Sequence, residues 1–259
     1  MKIAVSGKGG VGKTLIAGVL AEYLASKGFT VLAIDADATP NLALTLGITP
    51  AEASKIVPIS ENTPLIESKT QTSMPGVYNL SFTVEDIIDQ YSVKTPYNVN
   101  LLVMGTVTSA GQGCMCPANT VIRALLHHLL VKRKEAVVTD LEAGVEHMGR
   151  GTAEHVETML IVTDSSLKAM EIAKKLHSLA KEIGIKNTLI IGNKVASPQE
   201  GRLIEDFAKT NEIPVLGLVP YDEKILEADR KGETPLKQAN QSRGVQAIRE
   251  LGEKLLEKK

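Results

Sequence analysis

Eight residues near the start of the chain restrict its possible folds more than any others. Gly7-Lys8-Gly9-Gly10-Val11-Gly12-Lys13-Thr14 follows a short apolar run at residues 2–5 and opens an amphipathic stretch at 15–27. It fits the pattern G-x-x-x-x-G-K-[ST]. There, glycines between a strand and a helix let backbone N–H groups converge on phosphate oxygens, with the positive end of the helix dipole behind them. Lys13 in such a loop meets the β- and γ-phosphates, and the Thr14 hydroxyl ligates Mg²⁺. The expected ligand is therefore a nucleoside triphosphate, ATP with ADP as product, cradled by Gly9, Gly10, Val11, Gly12, Lys13, Thr14 and Leu15. A glycine-rich turn could match by chance, but strand, helix and all four motif positions coincide here.

The rest of the chain repeats the same alternation. Strand-length apolar runs at residues 2–5, 30–34, 100–103, 136–139, 159–162, 189–191 and 215–218 are separated by helical periodicities. In residues 15–27, Ile16, Leu20 and Leu24 share a face, and Gly28 supplies the stop. Residues 167–183 repeat this with Met170, Ala173, Leu176 and Ala180, and residues 245–256 with Val245, Ile248, Leu251 and Leu255. Alternating β and α units predict an α/β fold of the P-loop NTPase type. Its central sheet would be mostly parallel, with about seven or eight strands, helices on both faces and ligands at the strands' carboxyl ends. A single domain over 1–259 is expected, with an insertion at about 47–98, where prolines accumulate and no long periodic segment occurs.

Composition excludes other classes. The chain has no Trp and little aromatic content, so its core rests on Val, Ile, Leu and Ala, the palette of strands covered on both faces. A net charge of −1 gives no bulk attraction to nucleic acid or to an anionic membrane. The start has no basic leader before an apolar region, and no uninterrupted apolar run reaches about 18 residues. The expectation is a cytoplasmic protein with neither a nucleic-acid nor a membrane partner.

The two cysteines, Cys114 and Cys116, are one residue apart and precede a helix that Pro117 can open. Val121, Leu125 and Leu129 mark one face of that helix, with Ile122 and Leu126 beside it. A thiolate at a helix N-terminus is favoured, and two thiolates can share one soft metal ion but fill only half a tetrahedral shell. Two such pairs on a dimer axis would complete an S₄ site. The alternative is a pair of small buried side chains. His127, His128, His147, His155 and His177 show no zinc-ligand spacing with the cysteines, and none is assigned to the metal.

Lys8 makes the loop resemble the deviant Walker A form of the MinD, ParA and nitrogenase-iron-protein superfamily. That resemblance implies a homodimer in which Lys8 reaches the nucleotide held by the partner. Leu15 departs from the Ser or Thr common at its position. The resemblance also places Asp37 where an aspartate orients the attacking water. It places Asp140 in the Mg²⁺ shell and the Gly144 N–H at the γ-phosphate. Asn193, with Lys194, resembles the adenine-reading segment, and Pro220-Tyr221-Asp222 the loop that closes over the base. Asp35 is either a second acidic site residue or a structural carboxylate at a strand end.

Gly111-Gln112-Gly113-Cys114-Met115-Cys116-Pro117, Arg123-Ala124-Leu125-Leu126, Pro64-Leu65-Ile66-Glu67 and the run from Asp140 to Thr152 resemble the CooC-type ATPases that assist nickel insertion into carbon monoxide dehydrogenase. That family implies an ATP- and Mg²⁺-dependent dimer holding Ni²⁺, or Zn²⁺ competitively, through Cys114 and Cys116 of both subunits. Its partner would be carbon monoxide dehydrogenase or a related nickel enzyme, and acetyl-CoA synthase is a close variant. An iron–sulfur electron carrier like the nitrogenase iron protein is the alternative. A positioning ATPase of the septum or plasmid type would need a membrane-binding tail or a DNA-binding surface. The final helix, mixing Glu with Lys, supplies neither.

Overall fold

The structure, a computed structural model, describes residues 1–72, 79, 82–105, 117–132, 134–142 and 155–257. The chain runs from β1 (Lys2–Gly7) through α1 (Lys13–Ser26) to β2 (Val31–Ala36), then through α2 (Leu42–Thr45), α3 (Pro50–Ala53), α4 (Thr63–Thr70) and α5 (Glu85–Tyr91). A short β3 (Val93–Lys94) and β4 (Asn100–Val103) precede α6 (Pro117–Val131), β5 (Ala136–Leu141) and β6 (Thr158–Thr163). Then follow α7 (Leu167–Glu182), β7 (Asn187–Val195), α8 (Pro198–Thr210), β8 (Val215–Pro220), α9 (Glu223–Arg230) and α10 (Arg243–Glu257).

Among the described residues, eight strands form one sheet in the order β3-β4-β2-β5-β1-β6-β7-β8. All neighbours pair in parallel except β3 with β4. All seven strands expected from the apolar runs are present. The short β3 was not expected, because two residues carry no readable period. The 47–98 segment is not devoid of helices. It forms α3, α4 and α5, each of one or two turns. Thr49 and Glu52 make a capping box for α3, the Asn62 side chain caps α4, and α5 has no side-chain cap but buries Ile87 and Ile88.

Strand alternation sorts the core onto two faces. Ile3 and Val5 of β1 point to the side covered by α1 and α10. Ala4 points to the other side, with Leu32, Ile34 and Ile161, under α6, α7 and α8. Strands buried on both faces need continuous apolar runs rather than alternation, and β1 and β5 are buried along their whole length. Helix α1 is buried on nearly every side from Ile16 to Leu24, so it lacks the one-sided pattern of a surface helix. Its contact with α10 is close enough that a Cβ on Gly252 would stand 2.5 Å from Cδ1 of Tyr23. No helix of the described residues is long and apolar enough to cross a membrane.

The same two helices are tied by an ion pair. Arg249 donates from Nη2 to Glu22 Oε1 at 2.8 Å and from Nε to Oε2 at 3.2 Å. Glu22 is almost fully buried, so removing its partner leaves a charge with little access to water. Arg249→Ala should lower stability by about 1–3 kcal/mol, read as an earlier urea midpoint at unchanged slope. Glu22→Gln added to it should recover part of the loss, because the uncompensated charge is then gone.

Topology places the site. The chain leaves β1 through α1 toward β2 on one side and leaves β6 through α7 toward β7 on the other. The carboxyl ends of these adjacent strands therefore diverge and open a crevice at the sheet's switch point.

Candidate functional site

The phosphate loop lies in that crevice. Gly10 and Gly12 adopt left-handed backbone conformations, with φ of 83° and 95°. Gly12 sits at the N-cap of α1 without a side-chain cap, so the first amides of the helix face the crevice as an anion site. A Cβ on Gly12 would run into the Asn193 side-chain amide. Lys13 is buried, whereas Lys8 is half-buried and makes no ion pair among the described residues.

Two acidic residues end adjacent strands in direct register, Asp35 on β2 against Asp140 on β5. Asp35 is a structural carboxylate. Its Oδ2 accepts the Leu42 N–H at 2.9 Å and its Oδ1 the Asp37 N–H at 3.3 Å, fixing the loop between β2 and α2. Burial raises its pKa to about 6 against these hydrogen bonds. Asp37 accepts from the Thr39 N–H at 2.9 Å and the Thr39 hydroxyl at 3.1 Å through the same oxygen. Its other oxygen has no partner among the described residues.

Asp140 is different. It is fully buried, and both carboxylate oxygens lack a hydrogen-bond donor among the described residues. Burial pushes its pKa up to about 7. The nearby Thr14 hydroxyl and Lys13 ammonium pull it down, and the Asp35 charge adds to the rise. Thr14 lies close enough to influence Asp140 without completing a hydrogen bond. A bare, buried carboxylate beside a hydroxyl and the loop lysine suits a hard divalent cation, and Mg²⁺ fits this donor set. Gly144 and His147 lie outside the described residues.

A cavity of about 470 Å³ borders the loop at Gly12, Thr14 and Leu15. It brings together eight residues singled out from the sequence: Gly12, Thr14, Leu15, Asn193, Lys194, Pro220, Tyr221 and Asp222. Leu44, Ile225 and Leu226 also line it and were missed. The signal for the last two lay in Asp222, whose side chain accepts the Lys224 N–H as the cap of α9. The geometry also gives three of the expected base-segment residues partners within the chain, Lys194 among them through the Gly10 carbonyl. Asn193 donates from Nδ2 to the Val11 carbonyl at 2.7 Å. The Asp222 carboxylate accepts from the Ser242 hydroxyl at 2.7 Å and the Gly244 N–H at 2.9 Å, joining α9 to α10. Burial pushes the Asp222 pKa up, but these hydrogen bonds outweigh it and hold the group below the usual carboxylate range.

Cys114 and Cys116 lie outside the described residues. Helix α6, described from Pro117, buries Val121, Ile122, Leu125, Leu126 and Leu129. His127 is exposed and meets the His155 ring edge-on at 6.0 Å. His128 is buried, 3.5 Å from Glu85, and His177 is buried against Thr188. Among the described residues, no group of three or more His, Cys, Asp or Glu side chains could hold a metal ion.

A strand–loop–helix phosphate cradle at the switch point of a parallel sheet, with a bare carboxylate one strand away, defines a P-loop ATPase. A family-wide profile described as the CobQ/CobB/MinD/ParA nucleotide binding domain matches residues 2–236. The carbon monoxide dehydrogenase accessory protein CooC of Rhodospirillum rubrum is 44% identical over 234 residues, 90% of this chain and 88% of the relative. An uncharacterized ATP-binding protein of Methanocaldococcus jannaschii is 43% identical over 238 residues, 90% of each chain. A ParA family ATPase from Chlorobium tepidum shares the fold with a TM-score of 0.70 at 20% identity, over 97% of both chains. The chain belongs to the CobQ/CobB/MinD/ParA nucleotide-binding family and, within it, to the CooC-type ATPases.

Proposed function

We propose that this ATPase is a nickel-handling accessory protein that assists metal insertion into a nickel enzyme in the cytoplasm, with carbon monoxide dehydrogenase as the client. The observation that carries the reading is the Cys114-Met115-Cys116 pair, placed immediately before α6 in a CooC-type chain. Thiolates are the ligands that select soft and borderline ions, and a pair supplies half of a four-coordinate shell. The second pair comes from a second copy, so cargo binding and dimerisation favour each other.

In the hydrolytic half of the cycle, Lys13 and the loop amides hold the β- and γ-phosphates. Thr14 and Asp140 would hold Mg²⁺, which when bound neutralises phosphate charge. Asp37 accepts a hydrogen bond from the attacking water through its open carboxylate oxygen. The water oxygen bonds to the γ-phosphorus as the bridging bond to ADP breaks, giving ADP and inorganic phosphate. Lys8, without an ion-pair partner in its own described chain, reaches the nucleotide of the other copy and makes closure depend on ATP. Loss of the γ-phosphate then reopens the dimer and loosens its hold on the metal.

Metal titration tests this directly. Wild-type protein should bind one Ni²⁺ or Zn²⁺ per dimer, and Cys114→Ser/Cys116→Ser should lose it while still binding ADP. Stoichiometric nickel binding that persists without both cysteines would sink the assignment. A brown anaerobic preparation with a paramagnetic signal would point to an iron–sulfur cluster instead. Lys8→Ala should bind nucleotide as a monomer and fail to dimerise on ATP; normal dimerisation and turnover would rule out the trans role.

A further inference from the structure

Successive side chains of a strand point to opposite faces of the sheet. Asn193 and Lys194 near the end of β7 break that rule, since both reach the phosphate loop. Asn193 Nδ2 donates to the Val11 carbonyl and Lys194 Nζ to the Gly10 carbonyl, each at 2.7 Å. Two irregularities produce this. The pairing of β7 with β8 shifts register between Gly192 and Val195, and Lys194 has a left-handed backbone with φ of 58°. A bulge next to a site re-aims a side chain. A lysine keeps a left-handed conformation only where its surroundings impose it. Lys194 also lines the cavity beside Tyr221.

We propose that Lys194 is a positioning residue for the phosphate loop. It fastens the Gly10 carbonyl outward while Asn193 fastens that of Val11. In a planar trans peptide the carbonyl and the following N–H point in opposite directions. Holding the oxygens of Gly10 and Val11 therefore turns the N–H groups of Val11 and Gly12 toward the phosphates. The Val11 N–H otherwise makes only a long bond of 3.4 Å to the Lys8 carbonyl, which a phosphate oxygen can replace. Because β7 also walls the cavity, the same two residues connect the base end of the nucleotide to its phosphate end. This rests on the reading of residues 7–14 as the nucleotide loop.

The test compares two probes, MgADP and magnesium tripolyphosphate, which has no base or ribose. Lys194→Gly removes the clamp but relieves the left-handed backbone, so it should melt at or above the wild-type temperature. It should nevertheless bind both probes about tenfold more weakly. Lys194→Ala should match that loss, and Lys194→Arg, which keeps a cationic donor, should stay within about threefold of wild type. ADP binding that weakens while tripolyphosphate binding does not would overturn the proposal, since the lysine would then serve the base alone. Unchanged binding of both probes would overturn it as well. Wild-type protein that bound neither probe would instead count against the nucleotide-loop reading.

Discussion

Asp140→Asn should abolish most Mg²⁺-dependent hydrolysis and yet make the nucleotide-free protein harder to unfold above neutral pH. The first effect follows from the proposed role of Asp140 as an anionic Mg²⁺ ligand, whose loss is expected to cost on the order of 10²-fold in turnover. The second follows from proton linkage. A carboxyl with a folded pKa of about 7 and an unfolded value near 3.8 carries more protons folded than unfolded between those limits. Stability therefore falls as pH rises from about 4 to about 7, then stays at the lower level. Asp35, raised to about 6, adds a slope that ends sooner. Amidation at 140 removes the larger penalty, worth on the order of a few kcal/mol at pH 8 and almost nothing near pH 4. Melting curves at pH 5 and pH 8, without Mg²⁺ or nucleotide, check the sign. A variant less stable than wild type at pH 8, with hydrolysis intact, would show that Asp140 is neither strained nor a cation ligand.

Gly12→Val should reduce ATP affinity by about 10²-fold or more and also destabilise the fold. Its φ of 95° is a region that β-branched residues avoid, and its new Cβ would occupy the place of the Asn193 amide. The Asn193 bond to Val11 is then lost, and the first amides of α1 turn from their common focus. A loss of about 2–4 kcal/mol in unfolding free energy is expected from strain and the displaced buried amide together. Isothermal titration with MgADP and urea denaturation measure the two parts. Val11→Ala, one residue earlier, is a control that trims a buried side chain but leaves the loop backbone free to form.

Much of this architecture can be read without coordinates because doubly covered strands must be apolar throughout. The runs at 2–5, 136–139 and 159–162 could hardly be anything else, and Gly7 to Thr14 names its own chemistry. Features that depend on one residue pair or on a few turns were not legible. The helices α3 and α4 rest on capping by Thr49, Glu52 and Asn62 rather than on a periodic face, and α5 is too short to show one. Asn193 and Asp222 were expected to meet the base. Distant partners, Val11 for one and Ser242 and Gly244 for the other, engage these side chains, and nothing local in the sequence announces such pairings. Asp35 offered two roles from its position alone, and its bond from the Leu42 N–H, seven residues on, is the structural one that position did not announce. The apolar wall from Ile225 and Leu226 went unread because α9 is short and mostly polar.

The two-residue strand β3 has a consequence for how copies of the chain can meet. A sheet edge is a row of open donors and acceptors, and a long flat one invites another chain to extend it. Here β3 runs opposite to β4, covers part of its outer rim, and places the exposed Lys94 at the border. The edge that β3 offers is only two residues long, too short to template a growing ladder. That side of the sheet is guarded against runaway fibre-like stacking, so a second copy gains little by adding a strand there.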